Sequence, residues 1–394
     1  MSNHQATAQP SKLLQKIIIL AVVAVLAAIG GISFRNQRLF KETVVSSDAL
    51  TETRWLSDYL PSLKGTYSDT PIFVYDSGVE GGSVLYMGGT HPYEPACSLS
   101  AFIMMENIKV EKGRVFIIPQ ASYSATTSGI LGNAYPVSFD IKTDWGKSTF
   151  KIGDRVTNPL DQWPDSFTYI HYPSGQSQAY QDLRNLNRCY PGRPDGTLTE
   201  RVAFAVMELI RSEKIDMSID AHEASLMYPV VGTYVAHDRA MDIAMMAAMD
   251  LSATTFDMKI EQSPGSLKGF THREWGDYSD TLAVLMETPE PFIDRIVGPL
   301  TEDLMTEGKD LFLSFAGDKG LTFVPYSLET GWPMRTRVGR HLSGAAKVVE
   351  YMGMFFPEKQ VIATWPSYKE LQELDCGHFL HDPATADPDL VFKI

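Results

Sequence analysis

The chain has 394 residues, 44% of them hydrophobic and 21% charged, with 29 Gly and 23 Pro, a composition that excludes disordered, collagen-like and disulfide-dense classes. Its net charge is −14, and the first 45 residues hold Lys12, Lys16, Arg35, Arg38 and Lys41 against Glu42 alone, which leaves −18 on the rest. So acidic a body, with no Lys/Arg run beyond the N-terminus, would repel DNA or RNA phosphate, and no nucleic-acid partner is expected.

The first element is apolar. Ile17 to Phe34 reads IIILAVVAVLAAIGGISF, eighteen residues without a charge, which as a helix span about 27 Å and nearly match a bilayer core. This predicts a single-pass transmembrane anchor over 17–34. Ala28-Ile29-Gly30 is a small-x-small triplet, so a cleaved signal sequence stays open as the alternative. Basic residues flank both ends, and only the shortness of residues 1–16 argues for a cytoplasmic tail with the body on the extracytoplasmic side. Residues 35–66 are polar and weakly patterned and read as a stalk.

Element types then alternate. Strands are predicted over 72–75 and 83–89, a helix over 94–108 and a buried strand over 114–120. Residues 121–180 lose the pattern to Tyr, Trp, Pro, Asp and Ser, as expected of an insertion over a site. A helix from Leu198 puts Val202, Val206, Leu209 and Ile210 on one face. A short strand over 216–222, a helix over 238–251, a buried strand over 281–289 and an amphipathic helix over 293–315 follow. The pattern is α/β. It predicts one domain over 67–320 and a smaller C-terminal part over 321–394. Cys97, Cys189 and Cys376 lack any C-x-x-C spacing; one bridge at most, Cys97 to Cys189, is open beside the reading of buried thiols.

His91 and Glu94 stand three apart where the strand SVLYMGG runs into a helix, and an i, i+3 pair can share one metal. Zinc hydrolases use three N/O protein ligands and keep a fourth position for water. The apolar strand Ser218-Ile219-Asp220-Ala221-His222 ends in a third donor, at the edge where open α/β sheets place their sites.

The ordered set GGTHPYEPA (88–96), NLNRCYPG (185–192), SIDAHEA (218–224) and LMETPEP (285–291) resembles the succinylglutamate desuccinylase and aspartoacylase family of the zinc carboxypeptidase superfamily. The resemblance covers about residues 85 to 320. It implies a mixed central sheet flanked by helices, one Zn²⁺ per chain held by His91, Glu94 and His222, and Glu287 as general base. It further implies a zinc-dependent hydrolase cleaving the amide bond of an N-acyl amino acid, with a small-molecule or peptide substrate that bears a carboxylate. An exported carboxypeptidase acting on peptides or peptidoglycan stems, or a non-catalytic binding relative, is the alternative.

Glu287 ends the apolar run LAVLM, where burial should raise its pKa; Glu290, past Pro289 and outside the strand, is the lesser candidate for the base. Asn187 and Arg188 match the family's substrate-binding pair, the guanidinium polarising a carbonyl or holding a carboxylate. Two departures stand out. Asn185 occupies the position where the family has an acid hydrogen-bonded to a zinc histidine, and the family's further-upstream arginine has only Arg184 as a nearby counterpart. In the loop GFTHREWGDYSDT, Arg273 and Tyr278 are the expected substrate contacts, while His272 and His237 read as hydrogen-bonded histidines or extra ligands.

Overall fold

A computed structural model describes residues 12–129, 136–293 and 298–394. The chain divides into two units, residues 1–40 and 41–394. In the first, α1 (Lys12–Leu39) outruns the predicted span because Leu, Gln, Lys and Arg on its flanks are good helix formers. It is long and apolar enough to cross a membrane, as a signal sequence would also be. Residues 1–11 of the expected tail lie outside the described residues.

The second unit is built on eight strands: β1 (Glu52–Trp55), β2 (Pro71–Asp76), β3 (Ser83–Met87), β4 (Arg114–Ile118), β5 (Met217–Ser225), β6 (Thr233–Ala236), β7 (Lys259–Gln262) and β8 (Leu282–Glu290). They form one mixed sheet in the order β7-β6-β8-β5-β3-β4-β2-β1. The β4-β3-β5-β8 core is parallel; β6 runs antiparallel to β8, and β2 antiparallel to both β4 and β1. Both faces of the strands inside the two edges are buried, so β3, β4 and the start of β8 read as apolar runs, while the edge strands β1 and β7 are polar and largely exposed. Val84 and Tyr86 face one core with Phe102 of α2 (Pro95–Asn107), while Leu85 and Met87 face another with Val202, Val206 and Leu209 of α3 (Leu198–Ser212). The first core also takes Ala244 and Ala247 of α4 (Met241–Thr254). A Thr197/Glu200 capping box starts α3. A short helix, α5 (Thr271–Asp277), lies just before β8.

Four expectations change. Residues 35–66 are not a stalk from residue 41 onward: Thr43–Val45 pairs with Val391–Lys393, β1 is the sheet's edge strand, and Leu56 and Leu63 are fully buried. An edge strand half-open to water needs no apolar pattern, which is why it read as linker. The single helix over 293–315 is two, α6 (Glu302–Glu307) and α7 (Leu311–Asp318). Gly308 ends the first in the left-handed region and Asp310 caps the second; residues 294–297 lie outside the described residues. The segment 321–394 is no separate part, because α8 (Met334–Phe355) packs Val338, Leu342 and Val348 into the same core as α2 and α4. Finally, β8 continues through Pro289 to Glu290, so Glu290 is inside the strand. The 121–180 stretch carries a hairpin, Ser138–Thr143 with Gly146–Lys151. All three cysteines are free and buried.

Candidate metal centre and active site

At the carboxyl end of β3, Gly88 and Gly89 let the chain turn sharply: a Cβ on Gly88 would sit 2.5 Å from the Cys97 carbonyl, and Gly89 has φ +66°. The turn delivers His91 and Glu94 ahead of α2. His222, on β5 next to β3 in the sheet, meets them. His91 Nδ1 lies 2.8 Å from Glu94 Oε1, and His222 Nδ1 3.0 Å from Glu94 Oε2. The three donor atoms lie within 4.8 Å of one another and all three residues are buried.

Each imidazole is held from behind. His222 Nε2 is 2.8 Å from Asp220 Oδ2, and Asp220 also accepts the hydroxyls of Thr90 (2.8 Å) and Thr271 (2.7 Å). His91 Nε2 is 3.0 Å from Asn185 Oδ1. Both Nε2 atoms are therefore occupied and both Nδ1 atoms converge on Glu94, the arrangement that orients histidine ligands around one ion. Two imidazoles and one carboxylate fit zinc. Electrostatics agree: burial alone would push the Glu94 carboxyl up, but the two imidazoles on its oxygens hold it well below the usual range. Burial lowers His91 to about 4, so its nitrogen is free to ligate. For His222 burial is outweighed by Asp220 and Glu94, which raise it; a cation on Nδ1 would replace that proton.

Glu287 is the register partner of His222 across the parallel β5–β8 ladder, so both face the same side. Burial pushes its carboxyl up to about 8, with His222 opposing. A cavity of about 310 Å³ opens in front of these residues. Its walls include Arg188, Asn187 and Phe270. Arg188 donates to the Asn187 carbonyl at 2.8 Å and its guanidinium lies 3.8 Å from the Phe270 ring centre; burial brings it down to about 10. Asn187 accepts the Thr271 amide at 2.9 Å and so ties this wall to α5. Gly269, at φ +87°, allows close contact with Arg188: a Cβ there would lie 2.1 Å from the Arg188 carbonyl oxygen.

Glu290 turns away from the cavity, its carboxylate accepting the Phe292 and Ile293 amides at 2.6 Å each. Three expected substrate contacts are absent from the cavity wall. Arg184 is clamped on Asp165 (2.8 and 3.0 Å) and the Thr157 carbonyl. Arg273 is spent within and beside α5 on Asp277, Asp238 and His237. Tyr278 ends α5 with its carbonyl taken by Arg211. His237 belongs to the Arg273 network, whereas His272 lines the cavity. The residue missed from sequence is Arg155, which lines the cavity with its guanidinium 2.8 Å from the Tyr93 hydroxyl. Its signal was available: it is the lone arginine between Arg114 and Arg184.

No family model and no curated protein matches the chain. Among solved structures, the chain is similar to a succinylglutamate desuccinylase from a Silicibacter species (18% identity, 56% of this chain and 53% of that one, TM-score 0.34). It is also similar to an ectoine utilization protein from Ruegeria pomeroyi (21% identity, 56% and 52%, TM-score 0.34). A metallo-carboxypeptidase from Burkholderia cenocepacia aligns over more of the chain (11% identity, 81% and 66%, TM-score 0.41). The chain spans about half the length of the first two.

Proposed function

We propose that this protein is a zinc-dependent hydrolase that cleaves the amide bond of an N-acyl amino acid. The observation that carries it is the convergence of the His91, Glu94 and His222 donor atoms within 4.8 Å at one end of a cavity that also holds Glu287, Arg155 and Arg188. Zinc held there would polarise the scissile carbonyl and bring a water's pKa to about 7.

Glu287 accepts the proton of the attacking water and returns it to the leaving nitrogen as the C–N bond breaks. Burial raises this carboxyl, which favours holding the proton for delivery to the leaving nitrogen, and a cation at the neighbouring donors would lower it toward the ionised form that accepts the proton. Arg188, planar and stacked on Phe270, pairs with the substrate carboxylate. Arg155, on the wall with Tyr93, faces the carbonyl oxygen as negative charge develops. Asp220 and Asn185 keep the imidazoles in the ligating tautomer. The location proposed with this activity is a membrane-anchored body on the extracytoplasmic side, where short peptides are a second substrate class for the same chemistry.

The test is metal content and turnover. Purified protein should hold about one zinc, and His91→Ala or His222→Ala should lose both metal and activity, since two ligands bind far more weakly than three. Full zinc occupancy in either variant refutes the ligand set. Zinc without turnover on a panel of N-acyl amino acids and short peptides leaves a binding protein.

A further inference from the structure

Beyond Glu287 the cavity runs along the sheet face bearing Leu285 and Val235, register partners on β8 and β6. His272 lines this end and is 5% exposed. Its Nδ1 lies 2.8 Å from Ser263 Oγ. Ser263 is itself fixed, its amide donating to the Ala236 carbonyl at 2.8 Å and its carbonyl accepting from Arg273 at 3.3 Å. Nε2 is the ring atom left for a ligand. Arg188 lines the same cavity, and Phe270 neighbours both side chains: the guanidinium is 3.8 Å from the Phe270 ring centre, and the Phe270 and His272 rings are 5.1 Å apart.

Burial keeps the imidazole neutral, lowering it to about 3, so it can offer an N–H donor beside the Arg188 cation without adding a buried charge. Glu261, the register partner of Val235, is exposed at the rim, where solvent screens it.

We infer that His272 is a substrate-binding residue whose Nε2–H donates to the carboxylate that Arg188 pairs with, Ser263 donating to Nδ1 and so fixing the tautomer. The leaving half is then an amino acid with a free α-carboxylate rather than its amide. This rests on the hydrolase reading for its chemistry but not for its binding, and the two can fail separately.

Two readouts on the detergent-solubilised full-length chain test it. One is the affinity of the metal-free protein for free amino acids against their C-terminal amides, by calorimetry; the other is kcat/KM of the zinc-loaded protein for N-acetyl amino acids against their amides. His272→Leu should cut the preference for the carboxylate about tenfold in both, the worth of one hydrogen bond to a charged group. His272→Gln keeps an N–H donor and should lose less. Ser263→Ala, acting only through the imidazole tautomer, should cost about threefold, and as a small change it guards against misfolding in the histidine variants. If Arg188→Lys removes the preference while His272→Leu and Ser263→Ala leave it intact, the inference falls and the hydrolase reading stands. If the wild type shows no turnover but binds carboxylates with a His272-dependent preference, the reverse holds. A wild-type protein with no preference for the carboxylate overturns the inference outright.

Discussion

The proposed base role of Glu287 depends on the β5–β8 ladder, which sets it opposite His222. Glu287→Gln keeps volume but cannot accept a proton, so zinc should remain while kcat falls by roughly 10² to 10⁴; damage from Glu290→Gln instead would reassign the base, against the two backbone amides that occupy Glu290. Arg188→Lys keeps charge but loses the planar fork stacked on Phe270, and should impair kcat/KM nearly as much as Arg188→Ala. Two buried histidines away from the ligand set, His272 and His341, are each lowered by burial to about 3, against an ordinary value of 6.5. Because the folded value is depressed, the stability they lend is present above pH 6.5 and lost as pH falls toward 3. Each should cost about 1.4 kcal/mol per pH unit in that window. Urea unfolding at pH 7, 6 and 5 measures the slope, and His341→Asn should remove about one proton from it. His91, Glu94 and His222 were legible as candidate donors by residue type and position, and the fold brings them together. Arg184 and Arg273 lie off the cavity wall because ion pairs consume their side chains, and Tyr278 because it sits exposed at the end of α5; sequence proximity to a motif records neither, and Arg155 reaches the cavity from a stretch without periodicity.

At the level of elements, α8 reaches the His91–Glu94–His222 group through a buried ion pair. Arg337, fully buried, lies 2.9 Å from Glu223 Oε1; Glu223 Oε2 accepts the Ala96 amide in the first turn of α2 at 2.8 Å, and the Glu223 amide donates to Glu94 Oε2 at 3.0 Å. Arg337→Met strands the Glu223 carboxylate in the core and should destabilise the fold by about 3–5 kcal/mol. Zinc affinity should weaken with it, since Glu94 loses its brace; unchanged unfolding midpoints and unchanged zinc titration would refute the link. Nothing in the sequence ties residue 337 to residue 223, because the helical pattern of α8 states which face is apolar but not which sheet it covers.

For the whole molecule, the acidic charge and the apolar N-terminal helix carry the predictions. With −18 outside the first 45 residues, an anionic substrate is drawn in only by local cations, so added salt should raise KM modestly for acidic substrates and hardly at all for neutral ones. The full-length chain should stay with membranes through alkaline carbonate extraction and keep residues 17–34 by mass. Release into the soluble fraction with a mature N-terminus close after Gly30 would instead identify a cleaved signal sequence.

Period and composition, which are local properties, determined the apolar N-terminal helix, the buried parallel strands and the helices between them, and the strand-end positions of His91, Glu94, His222 and Glu287. Tertiary structure alone decided that residues 41–66 and 321–394 belong to the same body, that β6 runs against its neighbour, and that Arg155 and His272 line the cavity while Arg184 and Arg273 do not. The physical reason is that burial and pairing depend on what lies across the fold. An edge strand, a buried ion pair or a cavity wall is made by residues far apart in the chain, and no periodicity records its partner.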